Sequence, residues 1–357
     1  MARKVGIQDV AREAGVSLGT FSKVLNPMSP ANIRISEATR RKVLALAEKL
    51  NYTANYGAAL LRGQRTGTIG FIVNLPGEFD SSAISGYQMR ILNGVSAAAL
   101  EGKYQLLLIS GGDYSSFLEI KRVDALMMIN FRLRDNQKLQ EMIRMYRTFN
   151  ERHYPYVVIN NTCAALPVPS VCADNAYGMK LVAERIVARR YESVGFIGEI
   201  TDNLQQHHLE RLESLREYLH GSPVSFPSNL CILGPDCGIA PIPRTGSFNH
   251  RDGVEAMRYL FEQKLVPRCL VCGNDDIAQG VIWMAVQSGI RVPDDLAVIG
   301  FDDQPGSDYW NPALTTVHQP LEEMGRLAYE YLLRKMDDPE YFRQIAIKPT
   351  LMERMSG

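Results

Sequence analysis

Apolar positions in the first fifty residues recur at helical spacing and predict three short helices. The first helix runs from Ile7 to Ala14 and ends at Gly15, a residue that tolerates the left-handed conformation. The second follows Ser17, a natural N-cap, and stops near Leu25 because Asn-Pro comes next. Ser36 caps the third helix. The positions predicted to face one small core are Ile7, Val10, Ala11, Ala14, Phe21, Val24, Leu25, Val43, Leu46, Ala47 and Leu50.

From Thr68 onward, short apolar runs alternate with helical stretches. The predicted strands are TIGFIV, YQLLLIS, ALMMI and YPYVVIN, and then SVCAD, SVGFIGE, RCLVCGND and LAVIGFDD. Helices are predicted near residues 86–101, 135–152, 177–190, 209–220, 253–263 and 277–288. This alternation is typical of parallel sheets covered by helices on both faces. Two such sets in series predict two doubly wound lobes, with a ligand bound between them at the carboxyl ends of the strands.

Charge is distributed unevenly along the 357-residue chain, although its formal net charge is zero. Residues 1–66 hold 11 Lys or Arg and 4 Asp or Glu, a net +7, and the remainder carries a net −7. A basic head on an acidic body indicates a polyanionic partner for the head. Charge alone fits a merely solvated basic helix equally well.

The six cysteines are typical of a reducing compartment in which thiols stay free. Cys269 and Cys272 have metal-like spacing, but they lie in one predicted buried strand and point to opposite faces, so no metal or cofactor is expected. His207 and His208 are neighbours on a helix and point in different directions. No apolar stretch reaches 18 residues and no leader sequence begins the chain, so a cytoplasmic protein is expected.

Two helices joined by a glycine-containing turn are typical of the helix-turn-helix that reads the DNA major groove. The run DVAREAGVSLGTFSKVLN, followed by ISEATRRKVLALAEKLNY, resembles the head of the lactose-repressor and galactose-repressor (LacI/GalR) family, and the resemblance spans essentially the whole chain. It implies an α/β protein with three parts. These are a headpiece at 1–52, a hinge helix with linker at 53–67, and an effector-binding and dimerisation domain of periplasmic-binding-protein type at 68–357.

Family topology implies three crossings between the lobes, which we expect near Pro167–Ser170, Thr316–Gln319 and Asp337–Tyr341. The N-lobe is then about 68–167 with 318–338, and the C-lobe about 168–317 with 339–357. The segment 111–124 is shorter than the crossover helix that relatives carry there, which leaves the dimer geometry open. The carboxyl end lacks a leucine heptad, which argues against tetramers built on a tail coiled coil.

For DNA, the resemblance places Leu18 and Gly19 at base-reading positions and Lys23 where relatives often carry Arg. The residues implied to hold phosphates or bases are Ser17, Thr20, Ser22 and Asn26, and those implied for the hinge are Asn55, Ala58 and Leu61. Leu61 is the candidate wedge in the minor groove, although a plain tether is the alternative reading of this segment. Gly6, Gly19 and Lys23 depart from the family pattern, so a distinct operator is expected.

For the effector, the resemblance implies sugar contacts from Arg211, Asn274 and Asp302, and stacking by Phe248 on a pyranose. Asn160 occupies a place that relatives often give to Asp. A carboxylate that accepts two hydroxyl hydrogen bonds, opposed by an arginine donor, suits a polyol. A turn or helix-cap role is the alternative for Asp302 and Asp303.

The leading hypothesis is a homodimeric repressor that binds a pseudo-palindromic operator in double-stranded DNA and responds to a sugar, with a galactoside as one candidate. The alternatives are a cytosolic sugar-binding protein and a regulator with a non-sugar effector such as a corepressor. An enzyme is not expected, since the chain has no P-loop, no GxSxG elbow and no GxGxxG after a strand. The operator, the effector and the sign of regulation stay open.

Overall fold

The computed structural model describes residues 6–25, 35–50, 65–74, 86–102, 104–110, 123–129, 136–160, 166–198, 207–233 and 250–357. Three helices form the head: α1 (Ile7–Ala14), α2 (Leu18–Leu25) and α3 (Glu37–Lys49). Their bounds confirm the three predicted helices. The buried core of the head is Val10, Ala11, Ala14, Phe21, Val24, Val43 and Ala47.

The remaining helices are α4 (Gly86–Gly102), α5 (Asn136–Glu151), α6 (Asn175–Ala188), α7 (His207–Leu219), α8 (His250–Glu262), α9 (Asp275–Gln287) and α10 (Leu321–Asp337). A short 3-10 helix covers Ser228–Leu230. The strands are β1 (Thr68–Asn74), β2 (Gln105–Ser110), β3 (Ala125–Ile129), β4 (Tyr156–Ile159), β5 (Ser170–Ala173), β6 (Val194–Gly198), β7 (Cys231–Leu233), β8 (Cys269–Cys272), β9 (Ala297–Asp302), β10 (Thr315–His318), β11 (Gln344–Ile347) and β12 (Thr350–Met352).

The strands form two six-stranded sheets, which confirms the predicted α/β class with two lobes. The first sheet has the order β11-β5-β4-β3-β1-β2, and its neighbours all pair in parallel. The second has the order β12-β10-β9-β8-β6-β7 and is parallel except for the antiparallel pair β10–β12. Parallel sheets need cover on both faces, and the helices supply it.

The central strand β8 shows how both faces of the C-lobe sheet are covered. Cys269 packs with apolar residues of α6 and α7, whereas Cys272 packs with those of α8 and α9. Both thiols are free and fully buried, and burial raises the pKa of Cys269 to about 12. The prediction that these cysteines point to opposite faces as buried apolar residues is therefore confirmed.

The chain passes between the sheets at positions that differ in part from those predicted. The second passage lies between β10 and α10, as expected near Thr316–Gln319. The first follows Ala173, because β5 pairs with β4 in the N-lobe sheet and so belongs there rather than to the C-lobe. The third lies between Ile347 and Thr350, not near Asp337–Tyr341, because β11 pairs with β5. The predicted lobe boundaries at 167–168 and 338–339 are therefore wrong, because these boundaries lie after Ala173 and between Ile347 and Thr350.

Helices α4 and α10 cross at close range on one face of the N-lobe sheet. A Cβ on Gly94 would lie 1.9 Å from the backbone oxygen of Glu322, and a Cβ on Gly325 would lie 2.2 Å from that of Ile91. Both positions therefore require glycine. None of the helices in the described ranges is long and apolar enough to cross a membrane.

Candidate nucleic-acid interface and ligand cleft

The first helix of the head is fixed at both ends by its caps. The Gly6 backbone N–H donates to the Asp9 carboxylate over 2.9 Å, so this capping bond forms although Gly6 has no side chain. Gly15 adopts φ 68°, and the N–H of Val16 returns to the carbonyl of Ala11. This left-handed turn ends α1 and redirects the chain into α2.

Helix α2 buries one face and presents the other to solvent. Ser17 accepts the N–H of Thr20 over 3.1 Å, which confirms its predicted capping role. Phe21 and Val24 are buried, while Leu18 is 42% exposed and Gly19 is also exposed. The first turn therefore offers a short, open surface that can approach a groove closely.

Six of the predicted DNA-binding residues lie together on this helix or at its cap. They are Ser17, Leu18, Gly19, Thr20, Ser22 and Lys23, each at least partly exposed. Asn26 and the hinge residues Asn55, Ala58 and Leu61 lie outside the described residues, as does most of segment 111–124.

A cleft between the lobes collects polar residues from the ends of several strands. Asn160 directly follows β4, Asp302 ends β9, and Asn274 follows β8 by two residues. Arg211 comes from α7 and is only 3% exposed. Because carboxyl ends of parallel strands meet at one edge, four of the five predicted effector residues gather here. Phe248 lies outside the described residues.

Arg211 is held rigidly at the floor of the cleft. Its guanidinium stacks 3.5 Å above the Phe301 ring centroid, and Nε donates to Asn175 Oδ1 over 2.8 Å. Nη1 donates to the carbonyl of Gly273. Burial lowers the pKa of Arg211, and the charge of Asp302 opposes that shift most. Within the described part of the chain, Nη2 has no hydrogen-bond partner, so one nitrogen remains for a ligand.

Asp302 faces Arg211 without forming a direct ion pair among the described side chains. Its Oδ1 accepts from Gln319 Nε2 over 2.6 Å. Burial raises the pKa of Asp302 to about 7, although Arg211 and Gln319 both work to lower it. Its Oδ2 accepts no hydrogen bond from the described residues. The cleft thus offers one donor edge and one acceptor edge separated by a gap.

Asn160 and Tyr87 form the N-lobe wall of the cleft. Asn160 adopts φ 55°, and its amide nitrogen donates to the Tyr87 hydroxyl. Burial raises the pKa of Tyr87 well above its usual value, and the negative charge of Asp302 adds to that effect. Tyr87, on α4, therefore lies within electrostatic reach of the C-lobe carboxylate across the cleft.

Asn274 has a structural role in addition to its position near the cleft. Its Oδ1 accepts the Ile277 N–H over 2.9 Å and caps α9. The neighbouring residue, Asp275, is fully buried and accepts hydrogen bonds from Thr316 Oγ1, Gln304 N and Ser307 Oγ. Burial raises the pKa of Asp275 well above its usual value. This carboxyl supports the loop after β9 from beneath.

Sequence reasoning missed several residues of the cleft. Tyr87 and Asn175 contact predicted residues that lie 73 and 36 positions away in the chain, and Gln319 contacts Asp302 over 17 positions. The imidazole of His208 lies so close to Gly273 that a Cβ there would be 2.8 Å from Nδ1. The adjacent pair His207 and His208 carried no spacing signal for this placement. In the described ranges, no group of three or more His, Cys, Asp or Glu side chains is arranged to hold a metal ion.

Two family models match the chain. The model for bacterial regulatory proteins of the lacI family matches residues 6–55, and that for a periplasmic binding protein-like domain matches residues 183–356. The HTH-type transcriptional repressor PurR of Klebsiella pneumoniae (strain 342) is 29% identical over 360 residues, covering 98% of this chain and 96% of PurR. PurR of Salmonella enteritidis PT4 (strain P125109) matches with the same identity and coverage.

Solved structures are similar over nearly the whole chain. The transcriptional regulator CelR in complex with cellobiose is 25% identical, with a TM-score of 0.66 over 99% of this chain and 100% of CelR. The lac repressor dimer bound to operator and the anti-inducer ONPF has a TM-score of 0.77 over 99% of both chains. At 21% identity, that second likeness shows a shared fold alone.

Proposed function

The chain belongs to the LacI family of DNA-binding bacterial regulatory proteins, and from that premise we propose that it represses transcription under the control of a small sugar. The head would bind the major groove of an operator. The effector would bind between the lobes and change their arrangement, which alters the affinity of the head for DNA.

Support for DNA binding comes from the surface of α2. Its cap, Ser17, and its first turn are exposed, while Phe21 anchors the helix in the head core. Leu18 offers an apolar contact of the kind that a thymine methyl accepts. Lys23 lies one turn further on and carries a charge suited to a phosphate or a base edge.

The observation that carries the effector proposal is the paired arrangement of Arg211 and Asp302. Both are immobilised by protein contacts, and each keeps one polar atom without a partner among the described residues. A ligand with adjacent hydroxyl groups can donate to the Asp302 carboxylate and accept from Arg211. The relative CelR, whose solved complex contains cellobiose, supports a sugar as the ligand class.

We further propose a homodimer, because apolar side chains are exposed on both lobes. Trp283 is 49% and Val286 is 51% exposed one turn apart on α9, and in the N-lobe Leu100 and Leu108 are exposed on α4 and the edge strand β2. Clustered exposed apolar residues mark association surfaces. A two-fold dimer would place two heads on a pseudo-palindromic operator.

The test is a selection of bound DNA from a random library by the full chain, repeated with cellobiose and with galactosides. A recovered palindromic motif whose enrichment changes with a sugar supports the proposal. Calorimetry with the same sugars follows, using Asp302→Ala as the variant. No enriched motif would overturn the DNA claim. A motif without any sugar binding would leave a repressor with a non-sugar effector.

A further inference from the structure

The turn that leaves the effector site has an unusual backbone. Asp302 adopts φ 122° and Asp303 adopts φ 52°, so two consecutive residues other than glycine have positive φ. Such conformations are strained for L-residues and persist only where surrounding contacts enforce them. The contacts that hold this turn therefore set its position.

Contacts from the C-lobe tie this turn to the segments that connect the lobes. Asp303 Oδ2 lies 2.8 Å from His318 Nδ1, and its Oδ1 accepts from Arg354 Nη2 over 2.7 Å. His318 ends β10, immediately before the second passage between the lobes, and Arg354 follows β12, which comes after the third. Gln319, in the second passage itself, donates to Asp302.

Arg90 contacts this turn from the N-lobe. Arg90, on α4, donates from Nε and Nη2 to the two carboxylate oxygens of Glu322 over 2.8 and 2.9 Å. Its Nη1 donates to the backbone carbonyl of Asp303 over 3.1 Å. The Arg90 side chain is only 16% exposed, whereas Glu322 is 49% exposed. Arg90 is thus a largely buried bridge from the first turn of α10 to the strained turn of the C-lobe.

Arg90 lies close to residues that line the cleft. It follows Tyr87 by three residues, so both lie on the same face of α4. Tyr87 faces Asp302, and Arg90 holds the next residue along, Asp303. A ligand that moves Asp302 therefore also displaces the Asp303 carbonyl, to which Arg90 donates a hydrogen bond from the other lobe.

We propose that Arg90 is a positioning residue that couples the effector cleft to the N-lobe through the Asp303 carbonyl, a role that rests on the proposed effector function. It does not itself contact the effector. The bidentate bond to Glu322 fixes the guanidinium, so a displacement of Asp303 is passed to α4 and α10 as a unit. Loss of Arg90 separates ligand binding from the response of the head.

The first arm of the test needs no ligand. Hydrogen exchange by mass spectrometry compares the full chain with Arg90→Ala, Arg90→Lys and the control Arg326→Ala, which removes a surface arginine that pairs with Glu330 within α10. Arg90→Ala is expected to speed exchange in segments 302–308 and 318–324, with partial rescue by Arg90→Lys. Exchange in Arg90→Ala that matches the control in both segments would overturn the proposal.

The second arm measures the response of the selected operator to cellobiose. Allosteric coupling typically changes affinity by about 5–150-fold. In Arg90→Ala we expect a response below about fivefold, while calorimetric affinity for cellobiose stays within about twofold of wild type. A purely structural role would lower both together. An equal operator response in wild type and Arg90→Ala sinks the coupling role while the proposed function stands.

If wild type binds no cellobiose, the sugar proposal fails by itself. Arg90 is then judged by the exchange arm and by operator affinity without ligand, where Arg90→Ala should differ from wild type by more than about fivefold and Arg326→Ala should not. Agreement of both variants with wild type in that measurement also overturns the coupling role.

Discussion

The crossing of α4 and α10 predicts a specific failure of Gly94→Ala. The added Cβ would lie 1.9, 2.7 and 2.9 Å from the O, C and Cα atoms of Glu322, all of them backbone. Ordinary contact begins at 3.4 Å, so the helices must separate by about 1.5 Å. No side-chain rotation can relieve this overlap, because the opposing atoms belong to a helix backbone.

The cost can be bounded from two opposing effects. Overpacking in a tight core costs about 1–3 kcal/mol, and a backbone clash lies at the upper end. Alanine is favoured over glycine in a helix by about 1 kcal/mol, which offsets part of that cost. We expect a net destabilisation of about 2 kcal/mol, or a fall of about 4–8 °C in the Tm of the lobe.

Thermal unfolding monitored by calorimetry measures this effect, with Gly86→Ala as the matched control. Gly86 begins the same helix, and a Cβ there would meet nothing within 4 Å. The control should be neutral or slightly stabilising, by at most about 1 kcal/mol. If Gly94→Ala proves as stable as Gly86→Ala, the close crossing of α4 and α10 is refuted.

Three further outcomes are expected. Burial raises the pKa of Asp302 to about 7, so the folded chain keeps a proton that the unfolded chain loses near pH 4. This group therefore lowers the free energy of unfolding as pH rises from about 4 to 7. Asp302→Asn should flatten that part of a urea-denaturation pH profile, and an unchanged slope contradicts the assignment. Trp283→Glu should shift dimer to monomer in analytical ultracentrifugation. The control Val187→Glu, at an exposed apolar position on α6, should not. Equal effects of the two substitutions would show that α9 is not part of the dimer interface. Lys23→Ala should weaken operator binding in fluorescence anisotropy. The variant loses a base preference if Lys23 reads a base, whereas the slope of log affinity against log salt concentration falls by about one if Lys23 holds a phosphate. Wild-type affinity would exclude both roles.

The head could be predicted closely because its signals are local. Helical spacing of apolar residues, the glycine at position 15 and the serine caps at 17 and 36 each act within a few residues. The passages between lobes could not be predicted so well. The apolar pattern of Ser170–Ala173 does not tell which of the two sheets this strand joins. Gln344–Ile347 is too short and too exposed for its sequence to predict a strand.

Some residues of the cleft could likewise be predicted from the sequence, and others could not. Arg211, Asn274 and Asp302 could be named because the resemblance supplied their positions. Arg90 and Asp275 could not, since their roles depend on partners 232 and 41 positions away in the chain. In the run Asn-Asp-Asp at 274–276, nothing local tells which acidic residue is fully buried. Only the folded sheet brings Thr316 and Ser307 to the middle one.

The placement of β11 also constrains how the molecule is made. The N-lobe sheet opens with residues 68–74 but receives its edge strand only from residues 344–347, after most of the C-lobe has been synthesised. The head, by contrast, closes its core within the first fifty residues. During translation, the DNA-binding head can fold first, while the N-lobe begins early and can be completed only near the end of the chain. A chain stopped before β11 would carry a complete head on an unfinished regulatory domain, so DNA-binding competence and effector control would be acquired at different times in the life of each molecule.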